Sequence, residues 1–468
     1  MNLAEEIRRT QVLQGELMIC WLGQAGYLLK DGHGCTLAVD PYLTNCGERI
    51  RGFKRLSPML LQAEDFAPEC LEDVLFEENA LVLKEDCYTG IFETPEIAVE
   101  AWEALVPGWN AFTPVGTSVQ VQMRVKAGET WSAWLDCAWW SSVCAKPLKC
   151  TENDTASVQS GVVVMKQSFA QAFQVRVILH ANGGGESPRL RLLSVSGIGA
   201  YNREEEDEPL YRRNVHAPGY AARRRDPALS RQMSLAAALV CLMNRRGDDV
   251  LPEEAAYGCM EGDGVSVPFA AAFAGCYGYT AYPVFCTLAE LKTEIKNGFA
   301  CAALLKQEER FRWVSVRGMD TDADGMQTVE MMDSDAYDDA DTSRVWTLEE
   351  FCEHYVGLAI FVQDKVDRAA LPERLPGELR FDEEHGDYTL YLRGEPCRIS
   401  EEEPYTLCCT VPDGNAYATT AHKQFLFFRA DQHGGVDLPA ELPDGARTTV
   451  YLIRRGAAVV CCVTLPQV

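Results

Sequence analysis

A run of fifteen residues, Ser230-Arg-Gln-Met-Ser-Leu-Ala-Ala-Ala-Leu-Val-Cys-Leu-Met-Asn244, constrains this chain most. It opens on short polar residues and continues as good helix formers. Pro227 lies upstream, and Asn244 with Gly247 closes the run. A polar start, an apolar body and an Asn/Gly stop spell a buried helix. Where such a helix opens straight after a polar turn, its bare N–H groups and positive dipole end stabilise an anion. Many hydrolases put a nucleophile at that place, which here is Ser230.

The totals set the frame. At 468 residues the chain is long enough for about three domains. Its net charge of -26 repels phosphates and anionic lipid, so the expected partners include neither nucleic acid nor a membrane. The first residues, Met-Asn-Leu-Ala-Glu-Glu-Ile-Arg-Arg, carry no apolar run and read as a short helix, not a signal peptide. The nineteen cysteines are scattered among Val, Leu and Ala with no C-x-x-C pair. That usage suits reduced thiols serving as small core hydrophobes, and hence a cytoplasmic protein. Cys408-Cys409 and Cys461-Cys462 fall on strand-like runs where neighbours point to opposite faces, so neither pair shares a metal.

Taken in order, residues 16–76 begin with two apolar strands separated by Asp31-Gly-His-Gly34, a hairpin signal. Trp21-Leu-Gly-Gln-Ala-Gly26, Asp40-Pro-Tyr-Leu43 and Gly52-Phe-Lys-Arg-Leu56 resemble the opening of a metallo-β-lactamase-fold hydrolase of the ascorbate-6-phosphate lactonase kind. In that family the strand matching residues 71–75 runs into a His-x-His-x-Asp-His metal motif, whereas this chain continues Phe76-Glu-Glu-Asn79. No two of its seven histidines stand at i, i+2 or i, i+4, so neither a clustered zinc site nor any other metal or cofactor is expected.

Residues 80–199 change character. Val119-Gln-Val-Gln-Met-Arg-Val125 and Phe173-Gln-Val-Arg-Val-Ile-Leu179 alternate with a period of two between turn residues, which reads as an antiparallel β-sandwich. Trp109-Asn-Ala-Phe-Thr-Pro-Val-Gly-Thr117 and Trp131-Ser-Ala-Trp134 resemble a sandwich module found ahead of C39-like cysteine peptidase domains. Tryptophans on a sandwich can stack on sugar rings, although more often they are core or edge residues.

After a charged stretch over residues 201–213, residues 214–363 resemble the C39-like peptidases, a family of papain-type fold. Ala217-Pro-Gly-Tyr220 resembles that family's opening Val-Pro-x-Tyr, and Ser234-Leu-Ala-Ala-Ala-Leu239 resembles the helix after its Cys-x-Pro-Thr. Further helices are read from Pro252, over 269–279 together with its closing turn, from Leu288 to the stop at Gly298, and over 345–354. Trp313-Val-Ser-Val-Arg-Gly-Met319 and residues 328–332 are read as paired strands. Residues 371–468 read as short strands between Gly, Pro and Asp, a small all-β domain.

A papain-type mechanism needs a thiol at a helix N-terminus, a histidine base, a group that orients it and an oxyanion donor. Carried across by the resemblance, the oxyanion glutamine falls at Ala222, the nucleophilic cysteine at Ser230, the histidine at Arg312 and the orienting acid at Asp333. Only the last is kept. A serine without a base is a weak nucleophile, and guanidinium cannot take a proton. Arg312 and Asp333 are expected to pair and fill the old groove. A rescue would need Cys241, which sits in an apolar run, or His216, which nothing places near either. Ser230 is equally read as a plain helix N-cap.

Asp320-Thr-Asp-Ala-Asp-Gly325 matches the start of a calcium loop, but its twelfth position is Met331 where a bidentate Glu is needed. The same six residues suit a turn, and residues 333–341 read as a solvated acidic loop. The arginines at 212–213, 223–225 and 245–246 could bind an acidic peptide or a phosphate. Their acidic sequence neighbours, residues 204–208 and Asp248-Asp249, favour simple neutralisation.

The expected molecule is thus α+β and multidomain. A metallo-β-lactamase-like fragment (1–78) precedes a jelly-roll-like β-sandwich (79–200), a linker (201–213), a papain-like C39-type domain (214–365) and an all-β domain (370–468). The expected function is a non-catalytic C39-like pseudopeptidase that binds or scaffolds a peptide, protein or glycan. The alternatives are an active cysteine or serine hydrolase with a rearranged dyad, and a carbohydrate-binding protein acting through the Trp-rich sandwich.

Overall fold

The computed structural model describes residues 17–23, 26–31, 36–39, 59–62, 71–114, 117–141, 148, 150–181, 186–199, 209–223, 225, 231–248, 250–261, 264–365, 377–392, 394–396, 405–410, 425–428, 435, 448–455 and 458–466. Ser230, the N-terminal helix reading, residues 204–208 and the Asp40 and Gly52 motifs lie outside them.

The chain divides into two compact units, Met1–Ser57 and Pro58–Val468. In the first, Leu17–Gly23, Gly26–Asp31 and Thr36–Val39 form a three-stranded antiparallel meander. Lys30 pairs with Thr36 in that meander.

The second unit is built round a thirteen-stranded antiparallel sheet, nearly closed and barrel-like. Its longest ladders join Thr117–Ala127 to Ala170–Ala181 and Ile97–Phe112 to Arg189–Gly199. A seven-stranded antiparallel sheet follows. Its path runs Tyr279–Phe285, Tyr355–Lys365, Cys301–Gln307, Arg310–Thr321, Gln327–Met332, Ser343–Thr347. Five α-helices accompany it: α1 (Met233–Asn244), α2 (Pro252–Cys259), α3 (Val267–Cys276), α4 (Leu288–Lys296) and α5 (Leu348–His354). Small sheets at Gly377–Asp382, Asp387–Leu392 and Glu395–Pro396, and at Tyr405–Thr410, Phe425–Phe428, Thr448–Arg455 and Ala458–Pro466, complete the chain.

This overturns the α+β, papain-like expectation. The molecule is mostly antiparallel β, and its largest element is the barrel-like sheet. The physical reason is visible in the helices. Among the described residues the helices run only seven to twelve residues, while strands make up most of the structure.

The segment from Leu105 to Ala111 is buried without alternation. One side of that strand faces the interior of the large sheet, and the other meets α3 and the strand Tyr279–Phe285. Hence Gly108 cannot be larger: a Cβ there would lie 2.4 Å from the Pro283 ring. Trp109 is fully buried and meets Trp140 and Phe269 edge-on. A single hydrophobic core runs from the large sheet (Trp109, Val121, Phe173) through α1 and α3 to Ala281 and Ile360.

Polar contacts stitch the same junction. Tyr279–Phe285 is an edge strand, and unpaired edges invite aggregation. Here large-sheet side chains serve the edge. Asn110 Nδ2 donates to Ala281 O at 2.7 Å, and Asn110 Oδ1 accepts from Ala281 N at 3.1 Å. Phe285 N donates to Ser196 Oγ at 2.9 Å, and Arg191 donates to the Tyr279 carbonyl at 3.5 Å as well as to the Gly275 carbonyl near the end of α3. The turn at Ser160 accepts from Val267 N at the start of α3.

Candidate functional site

Helix α1 has no side-chain cap and no acidic residue in its first turn, and its N-cap is Gln232. Burial holds it, since ten of its twelve residues are buried. Two side chains fix it further. Ser315 Oγ donates to Ala238 O at 3.0 Å, and Asn244 clips the following loop through Val250 N and O. Ser234 Oγ, in the first turn, accepts from Trp313 N at 3.4 Å. That contact brings the start of α1 beside the strand carrying Arg312.

Arg312 lies in an alternating array of charges. Its Nη1 is 3.2 Å from Asp333 Oδ2 and 3.7 Å from Asp335 Oδ2, and its Nη2 donates to Gln307 Oε1 at 2.8 Å. Asp333, with a side chain only 5% exposed, also accepts from Asp335 N at 3.0 Å. Asp335 in turn takes Arg223 as a fork, at 2.6 and 3.1 Å. Arg223 lies over the exposed ring of Tyr337. The hydrogen bond from Arg223, helped by Arg312 and Arg344, holds the Asp335 carboxyl below the usual carboxylate range.

Of the four sequence-matched positions, Arg312 and Asp333 are in contact. Ala222 is tied to the same loop by its backbone, with N donating to Ser334 O at 2.7 Å, and its methyl group donates nothing. Ser230 lies outside the described residues. Cys241 is fully buried, and burial pushes its thiol up to about 11, against the pull of Ser315 and Arg317. His216 is exposed. Among the described residues His180 contacts Gln120, His354 the Lys306 carbonyl and His385 Asp382.

Sequence reasoning named the arginines at 223–225 and the loop 333–341 without joining Arg223 to Asp335, and it missed Gln307. The acidic loop 333–341 is more than a solvated run, because Asp339 Oδ1 also accepts from Ala221 N at 2.7 Å. The arginines do find carboxylates, though far from the sequence neighbours expected. Arg225 grips buried Glu253, and Arg246 meets Asp364. The 320–325 motif is a hairpin turn. Asp322 Oδ1 accepts from Asp324 N and Met326 N, Gly325 takes a φ of +84, and Met331 is buried in the core. Among the described residues no group of His, Cys, Asp or Glu could hold a metal. No helix among them is long and apolar enough to cross a membrane.

Elsewhere, Trp131, Trp134 and Trp139 lie half-buried at the large sheet. Trp131 and Trp134 sit over Arg124 at 5.0 and 4.7 Å, and Trp134 also over Arg176 at 4.1 Å. Trp139 stacks on His180 with ring centroids 4.7 Å apart.

Comparison with known proteins adds one relationship. Residues 79–197 match the family model described as the Peptidase C39 N-terminal domain, which relates this part of the chain to the C39 peptidases. No curated protein matches the sequence. Among solved structures, the peptidase domain of Streptococcus ComA, a bifunctional ABC transporter involved in quorum sensing, is similar at 14% identity, over 32% of this chain and 98% of that one, with a TM-score of 0.26. The C-terminal CBM6 of LamC from Zobellia galactanivorans is similar at 14% identity, over 30% and 99% of the two chains, with a TM-score of 0.18. TmCBM61, solved with β-1,4-galactotriose, is similar at 10% identity, over 31% and 85%, with a TM-score of 0.17. At these TM-scores the three likenesses carry no conclusion about fold or ligand.

Proposed function

We infer that this chain is a C39-related protein that has given up peptide hydrolysis and acts by binding. The observation that carries the reading is Arg312. The resemblance puts it at the position of the family's histidine, and its two terminal nitrogens are held by Asp333, Asp335 and Gln307. A group that stays protonated and is already paired can neither accept a proton from a nucleophile nor return it to a leaving amine. Further support comes from Ala222, which has no oxyanion donor in its side chain, and from the Cys241 thiol, which burial keeps protonated.

The reading keeps the organisation drawn from the sequence. A metallo-β-lactamase-like fragment leads, residues 79–200 form the accessory module, residues 214–365 descend from a peptidase, and Ser230, Arg312, Asp333 and Ala222 mark the former site.

The test is hydrolysis of fluorogenic peptides and casein by the full-length chain, alongside an iodoacetamide probe. We expect turnover at the level of buffer and no labelling of Cys241 in the folded protein. Cleavage above buffer that disappears in Ser230→Ala or Cys241→Ala overturns the reading.

A further inference from the structure

We propose that the outward face of the large sheet, bearing Trp134 and Trp139, is a binding site for a neutral oligosaccharide. Strand register puts the relevant side chains on one face. Gln120 is opposite Trp139, Gln122 opposite Arg176, Arg124 opposite Gln174, and Arg176 opposite Glu93. Alternate residues share a side of a strand, so Val119, Val121, Met123 and Val125 point into the core while these point out. An outward face made of half-exposed indoles and planar amide, guanidinium and carboxylate groups is unlike an ordinary solvated sheet face, which carries small or flexible polar residues.

Two properties select the occupant. The first is rigidity. Gln120 and Gln122 both donate to buried Asp136, at 2.9 and 2.7 Å. Arg124 forks onto Gln174, and Arg176 onto Glu93. Side chains locked to one another lose little rotamer freedom when a ligand arrives. The second is charge. Arg124, Lys126 and Arg176 are matched on the spot by Glu93 and Glu96, with Asp136 beside them, in a chain whose net charge is -26. A balanced face attracts neither polyanions nor polycations. What remains is a ligand with flat C–H faces for the indoles and many hydroxyls for the planar polar groups, which is the chemistry of a neutral sugar chain. The proposal concerns residues remote in sequence from Arg312, and it stands or falls independently of the loss of hydrolysis.

The test is calorimetric and fluorescence titration of the full chain with cellohexaose, laminarihexaose, xylohexaose and chitohexaose, with heparin as the charged control. We expect at least one neutral hexamer to bind with a Kd of about 1 mM or tighter and to perturb tryptophan emission. Trp134→Ala and Trp139→Ala should each weaken that binding by roughly tenfold or more. Gln122→Ala keeps every aromatic ring and should still weaken it several-fold, which decides the matter if a tryptophan variant fails to fold. Arg312→Ala should leave it unchanged. Binding of none of the four, binding of heparin alone, or affinity unaltered in folded Trp134→Ala and Gln122→Ala overturns the proposal.

Discussion

Two pairs of arginines in this protein are arranged alike and matched with different partners. Arg223 and Arg312 alternate with Asp335 and Asp333. Arg124 and Arg176 alternate with Trp131 and Trp134. A carboxylate takes the guanidinium's edge and cancels its charge, so the first array is closed to a ligand. An indole takes the guanidinium's flat face, leaving N–H edges for Gln174 and Glu93 and ring surface for solvent. Both arrays set a carboxylate at a guanidinium edge and a ring on a guanidinium face, and it is the pair of indoles that makes the second a platform.

Both arrays rest on one core, and the largest effects should come from breaking it. Trp109→Ala should cost about 3–5 kcal/mol and lower a single melting transition, because the ring joins the large sheet to α3. Two separate calorimetric transitions would show that the arrays sit on independent supports. Next comes Asp333→Ala, which strips Arg312 of its closest anion and leaves the Asp335 N–H without its acceptor; about 1–3 kcal/mol is expected in urea denaturation. Trp134→Ala removes the platform from two guanidinium groups and should cost about 1–2 kcal/mol by the same measurement.

The smallest effect is expected at Asp335, whose side chain is 47% exposed. Asp335→Asn should change stability at neutral pH by no more than about 1 kcal/mol. Its signature is in acid. The folded carboxyl titrates below its ordinary value of 3.8, so the folded state binds fewer protons there than the unfolded chain. The contribution is present above that value and is lost as pH falls through the lowered folded value. An acid titration of stability in which Asp335→Asn matches the wild type would remove Asp335 from the comparison.

Local signals were legible where a helix carries its own instructions. Helix α4 was read from Leu288 to the stop at Gly298, and the structure adds a capping box between Thr287 and Glu290 that fixes its start. Helix α1 carries no such cap. Its apolar run was plain, but its start was read at Ser230 while the helix begins at Met233, because burial and not a cap sets its limits. The fold class was not legible. Antiparallel ladders join residues a long way apart, as when Met59–Gln62 pairs with the stretch from Leu192 to Val195, and no period within one strand names its partner. The Arg223–Asp335 fork was hidden for the same reason, since 112 positions separate its members. The Arg312–Asp333 pair, expected from the resemblance, lies on strands close in sequence, and the two side chains are in contact.

The protected edge of the strand Tyr279–Phe285 bears on how the chain is made. Synthesis runs from the N-terminus, and domains fold as they emerge. Asn110, Arg191 and Ser196 have therefore left the ribosome before that strand appears, and its bare N–H and C=O groups meet a waiting partner. A circular permutant that delivers residues 79–197 last would reverse this order. It would hold an open edge in the crowded cell for the time needed to translate the rest, and there the same sequence should precipitate although its finished fold is unchanged.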